Sequence, residues 1–150
     1  MDGGPRCHSR ARRDRGSVLS RLLLDTTFLV DAERAGNDLD RVIRDADDVA
    51  LAAISVAELS VGIELAGGRT RRNRSDFLEG VLEAVPVIDF DLEVARAHAR
   101  LLVAVRRQRR PRGAHDLVIA ATAVASDRVV VTADAGAFDD LPDVTVQPHR

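Results

Sequence analysis

Short apolar runs alternate with stretches of helical periodicity along most of this chain, and that alternation limits the fold more than any other feature. Leu22-Leu23-Leu24 reads as a buried strand closed by Asp25. Thr27 to Ala35 reads as a helix stopped by Gly36. Asp38 to Ala46 reads as a second, with Leu39, Val42 and Ile43 on one face. Val49 to Ile54 is a continuous apolar run, hence a second strand. Ser55 to Ala66 follows as a helix that Gly67-Gly68 stops. Arg71 to Ala84 spaces Phe77, Leu78, Val81 and Leu82 for one helical face. Val85 to Ile88 is a strand, placed at the periphery because Pro86 cannot donate to a ladder. Asp91 to Arg107 is a long helix with Val94, Ala97, Leu101, Leu102 and Val105 inward, broken by Pro111 and Gly113. His115 to Ala125 is another helix, Arg128 to Val131 a third main strand, and Val144 to Val146 a last short one. Such alternation predicts an α/β domain around a parallel sheet.

With 150 residues the chain suits one domain. It has four Phe, no Tyr and no Trp, so the core is aliphatic and a broad base-stacking platform is out of reach. All 22 basic residues are arginine. Without lysine, a P-loop and Schiff-base chemistry are both excluded. The single cysteine, Cys7, cannot close an internal disulfide, which reads as a reducing, cytoplasmic setting.

Residues 1–20 form an Arg-rich extension expected to be disordered, with the folded domain over 21–150. The first 17 residues are polar and aperiodic, and Val18 is a candidate start of the functional chain. Arg12-Arg13 is followed by no apolar stretch long enough for a signal or a membrane span, so no membrane association is expected. Five Arg and two Asp give the extension a net +3. Against a chain total of −2, the remaining 130 residues carry −5. A negative core must be solvated or bind something positive.

The acids explain where that charge goes. Asp25 closes the first strand, Glu58 sits in the first turn of the helix leaving the second, and Asp134 follows the third main strand. Asp116 opens the helix that runs into that strand, and in a parallel sheet its N-terminus lies at the same edge. All four then point at the carboxyl rim, where open α/β sheets bind ligands. Two unit charges 4 Å apart repel by about 4 kcal/mol at an effective dielectric near 20. With no lysine to neutralise them, a hard divalent cation with oxygen ligands is the natural solution. Such a site suits phosphodiester hydrolysis. We expect the ion on Asp25, Asp116 and Asp134, with Glu58 completing the catalytic set. Thr27 and Thr132 bring hydroxyls to the rim that can orient the acids, the water or the substrate.

Each acid also has a plainer reading. Ser55-Val56-Ala57-Glu58 fits a capping box, Asp116 can complement a helix N-terminus, and Asp134 can be a turn acid. Asp139 and Asp140 stand close enough to replace Asp134. Asp25 is hardest to explain otherwise, because an acid ending a buried strand is costly unless used.

The motifs Leu-Leu-Leu-Asp25-Thr-Thr27, Ile54-Ser-Val-Ala-Glu58-Leu, His115-Asp116-Leu-Val-Ile-Ala-Ala-Thr-Ala and Val131-Thr132-Ala-Asp134-Ala-Gly-Ala-Phe138 resemble, in order and spacing, those of the PIN-domain ribonucleases. The likeness is greatest to the VapC-type toxins of bacterial toxin–antitoxin pairs and covers residues 21–147. It implies a three-layer α/β/α domain with a central, mostly parallel sheet of four to five strands. It further implies a metal-dependent endoribonuclease using magnesium, with manganese as the alternative ion. Homodimerisation and a cognate antitoxin that blocks the acidic site belong to the same expectation. The Arg-rich extension lies outside the family pattern.

Two arginine clusters are candidate phosphate contacts. Arg106, Arg107, Arg109, Arg110 and Arg112 crowd the loop before Asp116, and Arg109, Arg110 and Arg112 are taken as the RNA contacts. Arg69, Arg71, Arg72 and Arg74 form the second cluster. Both can equally be solvated helix ends. His115 adjoins Asp116 and reads as exposed or capping, with a general-acid role as the alternative. Rival functions are a flap-type DNA nuclease and a non-catalytic RNA- or protein-binding module on the same fold. A haloacid-dehalogenase-type phosphotransferase wants a second Asp where Thr27 stands, and a lysine.

Overall fold

Three consecutive leucines make the middle of the sheet. The computed structural model describes residues 20–36 and 47–149. The expected helix over 38–46 and nearly all of the extension lie outside the described residues. Strand β1 is Arg21–Leu24, followed by helix α1, Thr26–Ala35, which ends at Gly36 in the left-handed region (φ 72°). Then come β2 (Asp48–Ala52), α2 (Ala53–Leu65), α3 (Gly68–Ala84), β3 (Val87–Ile88), α4 (Leu92–Gln108), α5 (Ala114–Ser126), β4 (Val129–Thr132) and β5 (Val146–Pro148). A 3₁₀ turn over Ala135–Phe138 separates the last two strands.

The strand order is β3-β2-β1-β4-β5, and every pair is parallel. Side-chain alternation along β1 assigns the layers. Leu23 faces a cluster built from Val94, Ala97 and Leu101 of α4 and Leu117, Ile119, Ala120 and Ala121 of α5. Leu22 and Leu24 face the opposite cluster, with Phe28 and Leu29 of α1 and Val81 of α3. The sheet is therefore covered on both sides, as a parallel sheet of continuous apolar strands requires. All three leucines are at most 2% exposed, each contributing roughly 1.5–3 kcal/mol by burial.

Several boundaries differ from expectation; α3 begins at Gly68 rather than Arg71, and three others have a clear reason. Strand β2 ends at Ala52 rather than Ile54, and α2 starts at Ala53, because an unbroken apolar run does not mark where a strand turns helical. Ser55 thus lies inside α2 instead of capping it, and Glu58 sits in the second turn. The third strand shrinks to Val87–Ile88: Val85 ends α3, while the Pro86 carbonyl still accepts from Leu51 N at 2.9 Å. The last strand shifts to Val146–Pro148, in register with Val130–Thr132.

Strands β2 and β3 lie on one side of β1, and β4 and β5 on the other. The chain reverses its direction of travel between β1 and β4, and the crevice above their carboxyl ends is where the fold offers a site.

Candidate active site

Asp25 follows β1 directly and is 1% exposed. Burying a carboxylate there demands hydrogen bonds. Thr27 Oγ1 and Thr132 Oγ1 each donate to its Oδ2 at 2.7 Å. Their own oxygens accept from the main chain, Thr27 from Ala133 N at 3.1 Å and Thr132 from Asp134 N at 2.9 Å. The two threonines thus hold Asp25 in one orientation and tie the end of β1 to the turn that carries Asp134.

Glu58 is half-buried and gripped from both sides. Thr26 Oγ1 donates to its Oε1 at 2.6 Å, with Ser55 Oγ 3.0 Å from the same hydroxyl. His115 Nδ1 lies 2.9 Å from Oε2. These contacts replace the capping box as the role of Ser55 and Glu58. Sequence reasoning missed Thr26; the only hint was a second threonine beside Thr27.

Asp116 is the third residue of α5 and is half-buried. Burial pushes its carboxyl above the usual aspartate range, and the nearby charges of Asp25, Glu58 and Asp134 push it further. His115 opposes them weakly. Asp134 is exposed and precedes the 3₁₀ turn without capping it through its side chain. One open cleft of about 370 Å³ is lined by all four acids, with Thr26, Thr27, Asp31 and Arg34 at its sides. Asp139, the alternative to Asp134, is not among its lining residues.

The arginines are arranged differently from the sequence expectation. None of Arg109, Arg110 or Arg112 lines the cleft. Arg110 pairs with Asp140 at 2.8 Å, and Arg109 ends α4 in the left-handed region. Arg112 donates to the carbonyls of Ala137, at 3.2 Å, and Asp139, fastening the loop before α5 to the 3₁₀ turn. Among the described residues the basic side chain at the cleft is that of Arg34, in the last turn of α1, which stood in neither cluster.

The donor set suits a hard divalent ion. Every candidate ligand is a carboxylate oxygen, and the repulsion of Asp116 by the neighbouring acids is what a cation would relieve. Among the described residues no three His, Cys, Asp or Glu groups are gathered tightly enough to hold an ion as they stand. Magnesium does not need that: it keeps several waters and takes one or two carboxylates directly. The open cleft leaves room for those waters.

Known proteins resemble this chain over most of its length. The family model described as PIN domain matches residues 22–144. The chain is 27% identical over 126 residues to Ribonuclease VapC of Rickettsia bellii (strain RML369-C), covering 83% of this chain and 93% of that protein. It is 39% identical over 93 residues to VapC ribonuclease Y4jK of Sinorhizobium fredii (strain NBRC 101917 / NGR234), covering 59% of this chain and 66% of the other. Its fold is similar to that in the crystal structure of VapBC-5, a member of the VapBC family of toxin–antitoxin systems from Mycobacterium tuberculosis. There the TM-score is 0.69 at 29% identity, over 85% of this chain and 97% of the other.

Proposed function

This chain belongs to the PIN domain family, and from that membership and the site we propose that it is a metal-dependent endoribonuclease, the toxin of a toxin–antitoxin pair. The observation that carries this reading is the convergence of Asp25, Glu58, Asp116 and Asp134 on one cleft at the carboxyl edge of a parallel sheet.

Asp25, Asp116 and Asp134 are the residues that would hold magnesium or manganese. A bound ion supplies there an acidified water and charge stabilisation for the leaving oxygen of a phosphodiester. The protein's part is positioning. Thr27 and Thr132 keep the Asp25 carboxylate fixed, so little reorganisation is needed when charge develops. Thr26 and His115 hold Glu58 facing the same space. Asp116, whose carboxyl retains its proton more readily than an ordinary aspartate, would release it to solvent on holding a cation.

The proposed partners follow the relatives: an antitoxin protein that covers the acidic cleft, and a second copy of the chain. Among the described residues no helix is long and apolar enough to cross a membrane, and we place the protein in the cytoplasm.

The test is cleavage of labelled RNA and of DNA of the same sequence, with EDTA, magnesium or manganese, beside Asp25→Asn. RNA cutting that requires the metal and drops roughly 100- to 1,000-fold in the variant is expected. Undiminished cutting by Asp25→Asn would sink the mechanism. Cutting of DNA in preference to RNA would favour the flap-nuclease reading.

A further inference from the structure

A second cavity, of about 320 Å³, opens beside the acidic cleft and shares Thr26, Val30, Arg34 and Glu58 with it. Its far wall is α3, which contributes Arg74 and Phe77. The two spaces adjoin along these shared side chains.

The chemistry of this wall is selective. The chain has four phenylalanines: Phe28 and Phe138 are fully buried, Phe90 stands on another face, and Phe77 lines this cavity, half-buried. Among the described residues Arg74 is held by one hydrogen bond, from Nη1 to the Gly62 carbonyl at 3.0 Å. That bond leaves Nη2 and Nε to serve something else. No hydrogen bond or ion pair engages Arg34 among the described residues. The cavity, whose wall also carries the carboxylates of Glu33 and Glu58, therefore offers an aromatic face and guanidinium donors that no other hydrogen bond among the described residues occupies, next to the proposed phosphodiester site. An aromatic face takes a base, and guanidinium donors take phosphate oxygens.

We propose that this cavity is a nucleotide subsite. It would hold the nucleotide flanking the scissile phosphate of a single-stranded RNA, with Phe77 against its base and Arg74 and Arg34 on the adjoining phosphate. The proposal rests on the ribonuclease reading and deepens it: the arginine cluster on α3, and not the one before α5, supplies a substrate contact. It also explains why one member of that cluster is anchored. A guanidinium held at one end by a main-chain carbonyl loses less freedom on binding than a free one.

The experiment compares the full wild-type chain with Phe77→Leu, Arg74→Gln and Arg34→Gln. Phe77→Leu keeps the apolar packing and removes the ring. Binding of a short fluorescein-labelled single-stranded RNA is followed by anisotropy in EDTA, and cleavage is followed in magnesium. We expect Phe77→Leu to weaken binding and raise KM about tenfold, with kcat within about twofold, since base stacking spans roughly 5- to 150-fold in affinity. Arg74→Gln should lower the slope of log affinity against log salt by about 0.7, the value for one phosphate contact on a single strand. A loss caused by misfolding would instead lower Tm and kcat together.

If the wild type cuts RNA and all three variants match it in affinity, KM and salt slope, the subsite is wrong and the ribonuclease reading stands. The subsite fails in that case even if the variants weaken association with a partner protein, which would make the cavity a protein-docking site. If the wild type neither binds nor cuts RNA, the ribonuclease reading fails, and the subsite with it.

Discussion

Asp116 makes stability depend on pH. Its carboxyl titrates above the usual aspartate range in the folded protein, through burial first and the charges of Asp25, Glu58 and Asp134 next. The folded state therefore holds this proton at pH values where the unfolded chain has released it. Stability falls as pH rises from the ordinary aspartate range through the raised folded value, and above that value the whole penalty is present. Replacing the charge removes the penalty. Asp116→Asn should have a higher Tm than the wild type at neutral pH in EDTA, by about 2–4 °C per kcal/mol relieved. The gain should vanish as pH drops into the ordinary aspartate range. Magnesium should raise the Tm of the wild type and leave the variant nearly unchanged. Thermal melts across pH, with and without the ion, read all three effects. A variant less stable than the wild type at neutral pH in EDTA would show that Asp116 is held by favourable contacts rather than strained by its neighbours.

At the scale of elements, the start of α5 aims Asp116, and a glycine sets that start. Gly113 occupies the N-cap with φ −61° and ψ 137°, a backbone any residue can adopt. A Cβ there would lie 2.8 Å from Asp116 Oδ2, the free end of a short side chain. Gly113→Ala should therefore fold, because the carboxylate can swing aside. The entropy gain of Gly→Ala, about 0.4–1 kcal/mol, and the poorer capping by Ala nearly cancel. Activity should fall roughly tenfold or more while Tm moves little, since a misplacement of about 1 Å at a reacting centre can cost 100-fold. Parallel kcat and melting measurements decide it: equal losses in both would point to a damaged helix instead.

The same element shows what the sequence could tell. The helix expected over His115 to Ala125 is α5 within a residue at each end, because Gly113 breaks the chain before it and an aliphatic face runs through it. Asp25 was legible for a similar reason, as an acid ending a run of leucines. The start of α2 was not. Nothing in Ala52-Ala53-Ile54 separates strand from helix, so Ser55 looked like a cap when it lies buried beside Thr26. The arginines were legible as clusters but not as contacts, because counting charges does not reveal facing. Arg112 binds main-chain carbonyls, whereas Arg34, alone at the end of α1, reaches the cleft.

On the scale of the whole molecule, α2 has two working sides. Glu58, Leu59 and Gly62 face the acidic cleft or the cavity beside it. Ile54, Ala57, Val61 and Leu65 recur every three or four residues, which places them along one stripe of the helix. Val61 is 56% exposed and Leu65 83% exposed. Ile54 and Ala57 border a largely apolar hollow of about 320 Å³ with Ile88, Phe90 and Val118. A contiguous apolar stripe of this kind marks an interaction surface, and a second copy of the chain is the occupant the family resemblance implies. In a two-fold interface each substitution is present twice, so one charge on the stripe faces its own copy. Leu65→Arg and Val61→Arg should each shift the chain from twice the monomer mass to the monomer mass in sedimentation equilibrium, with the far-UV circular dichroism unchanged because neither side chain is buried in the protomer. A wild type that sediments as a monomer at every concentration removes the dimer. A wild-type dimer that both variants preserve moves the interface off α2, and the stripe then becomes the candidate surface for the antitoxin.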